Sequence, residues 1–339
     1  MAPRLGMVGL GWGAKVAASL VNCREVRLAA CHARSESARE AFAATYGLRA
    51  YATYDGMIHD DALDGIVIMT PNDTHRDLAI AALRAGRHVL VTKPIAPSLT
   101  EAAEMIQVAR ETRRILAVGH QSRRHPALRT LKRWVDAGDL GAPRLIEGNT
   151  SSPTGLTVSP ADWRAQPAAC PGGPLIQLGI HYVDNYQHLL GPVSRVSGWL
   201  GKLGGGPVDP DTTSMLLGFS SGAVGYLSSS YVIPSTRWIR LTGEQATAGF
   251  QADGGLVLHS AAGAVLRSLP PPAEGIEGVR SAMLAGEVIE FAQCIQSGTE
   301  PEIGGIEAAR NLAVVLAAVE SHLRRTPVAV DELLRAAGL

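Results

Sequence analysis

The stretch from Gly173 to Leu190 reads as a helix with a row of polar side chains along one face. The row consists of Gln177, His181, Asp184 and His188. Histidine titrates near neutrality, so His181 could pass a proton to or from a reacting oxygen. Gln177 could hydrogen-bond His181 or a substrate, and Asp184 is the nearest group that could stabilise a protonated imidazole. The spacing also allows a metal site formed by His181, Asp184 and His188, or histidines with purely structural roles.

A lysine lies at the end of a buried strand pattern, "HVLVT", within the tripeptide Thr92-Lys93-Pro94. Ligands of open parallel sheets bind outside the carboxyl ends of the strands. The Lys93 ammonium could therefore polarise a substrate oxygen, although the same residue could equally be a solvated loop charge. Pro94 restricts the backbone that follows Lys93 and could do so through a cis peptide bond.

The N-terminal segment "GLGWGA" matches the pattern G-x-G-x-x-G/A between a strand and a helix. In this pattern Gly9 permits the tight turn, Gly11 lets the backbone approach a pyrophosphate, and Ala14 lets the helix pack on the strand. The free N–H groups of the helix N-terminus then face the phosphates. We predict dinucleotide binding by the whole turn, including Trp12 and Gly13. An ordinary glycine-rich turn is the alternative.

The end of the second strand, "CHARSES", bears on the choice of dinucleotide. NAD-binding sites of this kind place a carboxylate about 20 residues after the glycines to bind the ribose 2′-hydroxyl. Here Arg34 and Ser35 occupy that region, and they suit a 2′-phosphate. The sequence therefore favours NADP and leaves NAD open, since Arg34 could be only a solvated charge.

Strand and helix patterns alternate strictly up to residue 121, which predicts an open parallel sheet. After one helix at 127–137 the sequence becomes rich in strand patterns, and two further helical stretches follow. We therefore predict an α/β domain at residues 1–121 and an α+β domain with a large, mainly antiparallel open sheet at residues 122–339. A sheet with one face uncovered by helices would favour a homodimer or homotetramer.

Composition narrows the class of protein. The 339 residues include 31 Lys+Arg and 31 Asp+Glu, so no net charge favours nucleic acid or an anionic membrane. The four cysteines form no Cys-x-x-Cys pair, and we expect a reducing compartment. The N-terminus lacks a signal-peptide layout, and the apolar run "LAVVLAAV" is too short to span a bilayer. These features predict a cytoplasmic protein.

Several motifs together resemble the Gfo/Idh/MocA family, the relatives of glucose–fructose oxidoreductase and inositol dehydrogenase. They are "TPNDTHRDLAIAALRAGRHVLVTKP", "GHQSRRHPALRTLKRWVDAGDLG", "DWR" and "PGGPLIQLGIHYVDN". The resemblance implies a Rossmann domain for NAD(P), followed by a domain for substrate binding and oligomerisation. It also implies catalysis by Lys93 and His181 and no metal, since nicotinamide chemistry needs none.

The resemblance also assigns further residues. The family lysine normally lies in Glu-Lys-Pro, so Lys93 matches while Thr92 replaces the glutamate. The family aspartate four residues before the histidine is Gln177 here, and a later family aspartate matches Asp184. The segment that holds the nicotinamide end in relatives, together with the lysine and its proline, corresponds here to Thr70, Pro71, Asn72, His75, Lys93 and Pro94.

The implied function is hydride transfer between nicotinamide and a hydroxyl or keto carbon of a sugar, cyclitol or related polyhydroxy ring. Arg123, Arg124, Trp163 and Arg164 could line the substrate side with Gln177 and His181. Alternatively, Arg123 and Arg124 could bridge the domains, and Trp163 could pack under a loop. Two other functions stay open. One is a dehydrogenase of a carboxylated or aromatic-derived diol, which the arginines would suit, and the other is a non-catalytic dinucleotide-binding regulator.

Overall fold

The computed structural model describes residues 2–339 and shows two sheets. The first has six parallel strands in the order β3-β2-β1-β4-β5-β6. They are β1 (Arg4–Val8), β2 (Arg27–His32), β3 (Arg49–Ala50), β4 (Gly65–Ile68), β5 (His88–Thr92) and β6 (Leu116–Gly119). This order is that of a Rossmann sheet, which confirms the predicted parallel fold.

Five helices lie between these strands. They are α1 (Leu10–Ser19), α2 (Glu36–Tyr46), α3 (Tyr54–Ile58), α4 (His75–Arg84) and α5 (Leu99–Thr112). Ser35 caps α2 by accepting from the Ala38 N–H, and Ser98 with Glu101 forms a capping box at the start of α5. Strand β3 and helix α3 are not predicted from the sequence, because two and five residues are too short to show a hydrophobic period.

The second sheet has nine strands in the order β14-β13-β12-β11-β7-β10-β9-β8-β15. They are β7 (Pro143–Ser151), β8 (Val193–Gly201), β9 (Thr212–Phe219), β10 (Val224–Ser230), β11 (Thr236–Gly243), β12 (Ala246–Phe250), β13 (Leu256–Ser260), β14 (Val265–Leu269) and β15 (Val328–Ala329). All neighbours are antiparallel except β7 and β10, so the mainly antiparallel sheet is confirmed.

Five helices accompany this second part of the chain. They are α6 (Pro126–Asp136), α7 (Ile180–Leu190), α8 (Gly275–Ser297), α9 (Gly305–Arg324) and α10 (Val330–Ala336). A five-residue π-helical turn, Leu175–Gly179, precedes α7. The stretch from Gly173 to Leu190, predicted as one helix, therefore contains a π turn followed by an α-helix. The spacing of the polar residues does not reveal this change of helix type.

The chain divides into two compact units, and the division differs from the sequence-based boundary at one place. The first unit ends at Gln121 but also includes Arg280–Ala309, and the second contains the remaining segments from Ser122. Leu284, Val288 and Phe291 are buried in the same core as Leu5 and Met7 of β1. Burial of this apolar side of α8 explains why a segment so late in the chain joins the first unit.

One face of the nine-stranded sheet leaves large apolar side chains exposed. Leu216 of β9 lies opposite Ser197 of β8 and Tyr226 of β10, so Trp199 and Val224 lie on the same face as Leu216. Trp199, Leu216 and Val224 are 51%, 62% and 53% exposed. We call this surface the open face.

Candidate active site

The glycine turn between β1 and α1 has space where a pyrophosphate would approach. Gly9 has φ 90°, and a Cβ there would lie 2.4 Å from the backbone of Met69. A Cβ on Gly11 would meet no atom within 4 Å, whereas one on Gly13 would lie 2.8 Å from the Met7 sulphur. Close packing of helix on strand therefore depends on Gly13 as well as on Ala14. The turn fits a dinucleotide pyrophosphate, held by backbone N–H groups at the start of α1.

The end of β2 presents one unburied cation. Arg34 is exposed, whereas neighbouring Arg39 is buried and donates to the Ala33 carbonyl. The Ser35 hydroxyl caps α2 and lies 3.1 Å from the Ser37 hydroxyl. Glu36, the first carboxylate after β2, is exposed and lies 3.8 Å from the Arg39 guanidinium. Preference for NADP therefore stays a prediction that rests on Arg34.

The segment after β4 folds back on itself before α4. The Thr74 hydroxyl donates to the Thr70 hydroxyl and to the Pro71 carbonyl, each at 2.7 Å. Asn72 and His75 are buried in the same turn. Thr70, Pro71 and Asn72 thus form a compact turn at the carboxyl end of the sheet, where the sequence places the nicotinamide end of a dinucleotide.

Lys93 lies at the same edge of the sheet, directly after β5. Its backbone N–H donates to the Gly119 carbonyl at 3.2 Å, and the Lys93–Pro94 peptide bond is cis. The side chain of Lys93 is half-buried and Pro94 is buried. The glycine turn, the Thr70–Asn72 turn and Lys93 are therefore gathered at one edge of the first unit's sheet.

In the second unit the π turn positions Gln177 beside a cysteine. The Gln177 amide nitrogen lies 3.4 Å from the Cys170 sulphur, and both side chains are buried. His181 follows in the first turn of α7 and is half-buried. The Asn185 side-chain amide donates to the His181 backbone carbonyl at 2.6 Å, and this hydrogen bond restrains the backbone at His181.

Asp184 takes part in a buried network rather than an exposed row of catalytic groups. Arg123 donates to both of its oxygens, through Nε at 2.9 Å and Nη2 at 2.5 Å. Asn311 donates to Oδ1 at 2.7 Å, and Asp184 has no solvent exposure. Such a bidentate pair is strong and directional, so the charges of Arg123 and Asp184 largely compensate each other.

The Asp162–Arg164 turn also pairs its own charges. The Arg164 Nη1 lies 3.2 Å from Oδ1 of Asp162, and its guanidinium stacks 4.3 Å from the centre of the Trp163 ring. Burial raises the pKa of Tyr231 well above its usual range, and the nearby charges of Cys170 and Asp162 raise it further. The turn is therefore close to Tyr231. Cys170 is also close to Tyr231, and it contacts Gln177. The sequence does not predict a role for Cys170 or Tyr231, because no local motif contains them.

Within residues 2–339 no group of three or more histidine, cysteine, aspartate or glutamate side chains is arranged to hold a metal ion. His188 lines an open pocket of about 610 Å³ beside α6, whereas Asp184 faces Arg123. In the same described residues, no helix is both long and apolar enough to cross a membrane.

Comparison with known proteins decides the family. A model of the oxidoreductase family with an NAD-binding Rossmann fold, GFO_IDH_MocA, matches residues 3–120, and the model of its C-terminal domain matches residues 128–249. The scyllo-inositol 2-dehydrogenase (NAD⁺) of Bacillus subtilis is 30% identical over 288 residues, which are 81% of this chain and 80% of that protein. The chain belongs to the Gfo/Idh/MocA family.

Other members span nearly the whole length of the chain. D-xylose 1-dehydrogenase (NADP⁺) 2 of Haloferax volcanii is 27% identical over 96% of this chain and 98% of that protein. The crystal structure of an oxidoreductase from Desulfitobacterium hafniense, proposed to use NADPH, has 33% identity and a TM-score of 0.91 over 98% of this chain and 99% of that one. This Gfo/Idh/MocA protein is an NAD(P)-dependent oxidoreductase. The alternative function, that of a non-catalytic dinucleotide-binding regulator, is therefore excluded.

Proposed function

We propose that this Gfo/Idh/MocA enzyme transfers hydride between NAD(P) and one carbinol or keto carbon of an uncharged sugar, cyclitol or related polyhydroxy ring. The proposal that the substrate is uncharged rests on the ion pairs that Arg123 and Arg164 form within the protein. Each of these arginines already has a carboxylate partner, Asp184 and Asp162 respectively. A carboxylated substrate would compete with these partners, and displacement at Arg123 would leave a buried Asp184 without its counter-ion.

The chain's own groups can perform the steps around the hydride transfer. The Gly9–Ala14 turn would hold the pyrophosphate, and the Thr70–Asn72 turn with Lys93 and Pro94 would hold the nicotinamide end. Bound NAD(P) supplies the hydride acceptor or donor. Lys93 stabilises negative charge on the substrate oxygen, and His181 takes the hydroxyl proton in oxidation or returns it in reduction.

The Trp163 ring and the C–H side of a sugar-like ring are suited to each other. An aromatic face covers the apolar C–H side of such a ring, while Gln177 can donate to and accept from its hydroxyls. Because Asp162 holds the Arg164 guanidinium over Trp163, that side of the aromatic ring is already stacked. We infer that Trp163 offers substrate its other face or its edge.

Two further proposals concern the working state of the enzyme. We propose a homodimer or homotetramer assembled through the open face, supported by the exposed Trp199, Leu216 and Val224. We also propose that the enzyme works in the reducing cytoplasm. Its four cysteines, all in the thiol form, support this placement.

A substrate screen with matched pairs tests the proposal. Glucose with glucuronate, and myo- and scyllo-inositol with a carboxylated diol, are each assayed with NAD⁺ and NADP⁺ by the absorbance of reduced nicotinamide. We expect turnover with neutral rings and kcat/KM at least about tenfold lower with their carboxylated partners, a difference of about 1.4 kcal/mol. Preference for the carboxylated member of each pair would overturn the proposal.

A further inference from the structure

His75 is a fully buried histidine whose ring touches the backbone at both ends. It is the first residue of α4 and has no solvent exposure. Its Nδ1 lies 2.9 Å from the Pro94 carbonyl oxygen, and its Nε2 lies 3.0 Å from the Thr70 carbonyl oxygen. Both nitrogens are therefore engaged inside the protein, so neither is directed at a bound dinucleotide, the role that the sequence suggests for His75.

The two carbonyls belong to the segments that follow the neighbouring strands β4 and β5, and these segments separate. The ladder between β4 and β5 ends at the pair Ile68 and Val91. Beyond it, the Met69 N–H donates to the Val8 carbonyl of β1, whereas the Lys93 N–H donates to the Gly119 carbonyl of β6. The backbone after β4 thus bonds to one side and the backbone after β5 to the other, and the imidazole of His75 spans the gap between them.

A histidine suits this position because it can be neutral beside a lysine. Burial lowers the pKa of His75, and the Lys93 ammonium lowers it further, while the two carbonyls act in the opposite direction. With its pKa lowered, the ring carries one proton at neutral pH and adds no second positive charge next to Lys93. The neutral ring has one N–H, which donates to one of the two carbonyls, while the unprotonated nitrogen contacts the other carbonyl oxygen without a hydrogen bond.

We propose that His75 is a positioning residue, which fixes the distance between the Thr70–Asn72 turn and the Lys93–Pro94 peptide. This inference rests on the proposed role of Lys93. The imidazole sets where the Lys93 ammonium lies relative to the substrate oxygen and the nicotinamide end, without contacting either. Misplacement of a catalytic group by about 1 Å can cost on the order of 10²-fold in rate.

Substitution of the ring by Phe and by Gln separates positioning from simple filling of space. His75→Phe keeps the ring volume and loses both nitrogens, whereas His75→Gln keeps one donor. We expect His75→Phe to lower kcat by roughly 10–10², with KM and the affinity for NAD(P)H changed by less than about threefold. The isotope effect on kcat with substrate deuterated at the reacting carbon should rise, because the chemical step becomes limiting. His75→Gln should recover a large part of kcat.

The matched control is His88→Phe at the opposite end of β5, where Nδ1 of His88 accepts from the Ile115 N–H. This variant loses a comparable histidine contact and should have a lower melting temperature with an unchanged kcat and isotope effect. A His75→Phe enzyme with the kcat and isotope effect of the wild type would overturn the proposal. So would a loss confined to NAD(P)H affinity. If His75→Phe does not fold, the same criteria apply to His75→Gln.

A second measurement does not depend on turnover. In a crystal structure of His75→Phe or His75→Gln with NAD(P)H, we expect Lys93 Nζ to shift by about 1 Å or more relative to the wild type. An unmoved Lys93 would contradict the positioning role. Absence of wild-type turnover on all substrates tried would instead count against the proposed function, so the two failures are distinguishable.

Discussion

Gln177 lies four residues before His181, and its amide nitrogen is 3.4 Å from the Cys170 sulphur. The family pattern has an aspartate at this position, so the neutral amide changes the electrostatics next to the proposed proton carrier. A carboxylate stabilises a protonated imidazole, whereas an amide can only hydrogen-bond it.

The variant Gln177→Asp tests this electrostatic role, with Gln177→Asn as a control of the same size without charge. We expect Gln177→Asp to raise the apparent pKa of His181 in the kcat–pH profile by roughly one unit, because an adjacent negative charge favours the imidazolium. Gln177→Asn should leave that pKa in place. A large rise in KM with no change in the profile would show instead that Gln177 binds the substrate.

Arg34 is the exposed cation at the end of β2, where an adenosine 2′-phosphate would lie. We expect Arg34→Ala to raise the KM for NADP⁺ by roughly 10–10², which corresponds to the loss of one charge-assisted hydrogen bond of about 1.5–3 kcal/mol. The KM for NAD⁺ in the same variant serves as the control and should hardly change. A wild type that prefers NAD⁺, or equal effects on both cofactors, would refute the preference for NADP.

At the scale of elements, predictability followed the strength of the local signals. The apolar run of β5 and the capped helix α5 were predictable because hydrophobic pattern and capping residues are clear there. The strands β12, β13 and β14 were not predicted, and β12 consists of the small-residue sequence "ATAGF". The π turn at Leu175–Gly179 also escaped prediction, since an inserted helical residue leaves the polar spacing of Gln177 and His181 nearly intact.

Helix α6 begins with a histidine cap that should respond to acid. Nδ1 of His125 accepts from the Ala127 N–H at 3.2 Å, and the ring packs edge-on against Phe250. Burial lowers the pKa of His125 to about 4 from 6.5. As the pH falls from 6.5 to 4, the unfolded state binds a proton that the folded state excludes, so the free energy of unfolding falls by up to roughly 3 kcal/mol.

His125→Asn keeps a capping acceptor that does not titrate, so it should unfold with less pH dependence than the wild type in this range. Urea unfolding at about pH 7 and about pH 4.5 measures the difference. His59→Asn, at an exposed histidine, is the control and should behave like the wild type. If His125→Asn loses as much stability in acid as the wild type, the cap does not carry the pH response.

At the scale of the whole molecule, sequence motifs identified single residues but not their long-range partners. Lys93 and His181 were recognisable because each lies in a local motif. The pairing of Arg123 with Asp184 joins residues 61 positions apart, and Asn311 is 127 positions from Asp184. Tertiary packing alone brings them together, just as it brings Arg280–Ala309 back to the first unit. No local sequence pattern predicts these side-chain contacts or the packing of this segment in the first unit.

Assembly through the open face also belongs to this scale. We expect Leu216→Asp to lower the oligomeric state measured by light scattering, because a buried unpaired carboxylate in an apolar contact is strongly unfavourable. Leu323→Asp, at a leucine of α9 that is 69% exposed, is the control and should keep the wild-type mass. A wild type that is monomeric, or a Leu216→Asp variant with unchanged mass, would refute this interface.

The most direct test of the central claim is the rate of hydride transfer in His181→Ala, Lys93→Ala and the double variant, at saturating NAD(P)⁺ on a good neutral substrate. We predict that His181→Ala lowers kcat by roughly 10²–10⁴ with cofactor affinity preserved. Lys93→Ala should lower kcat by about 10²–10³, and the double variant should lose less than the product because the groups act together. Full turnover by His181→Ala would contradict the account, since the proton would then be carried by another group.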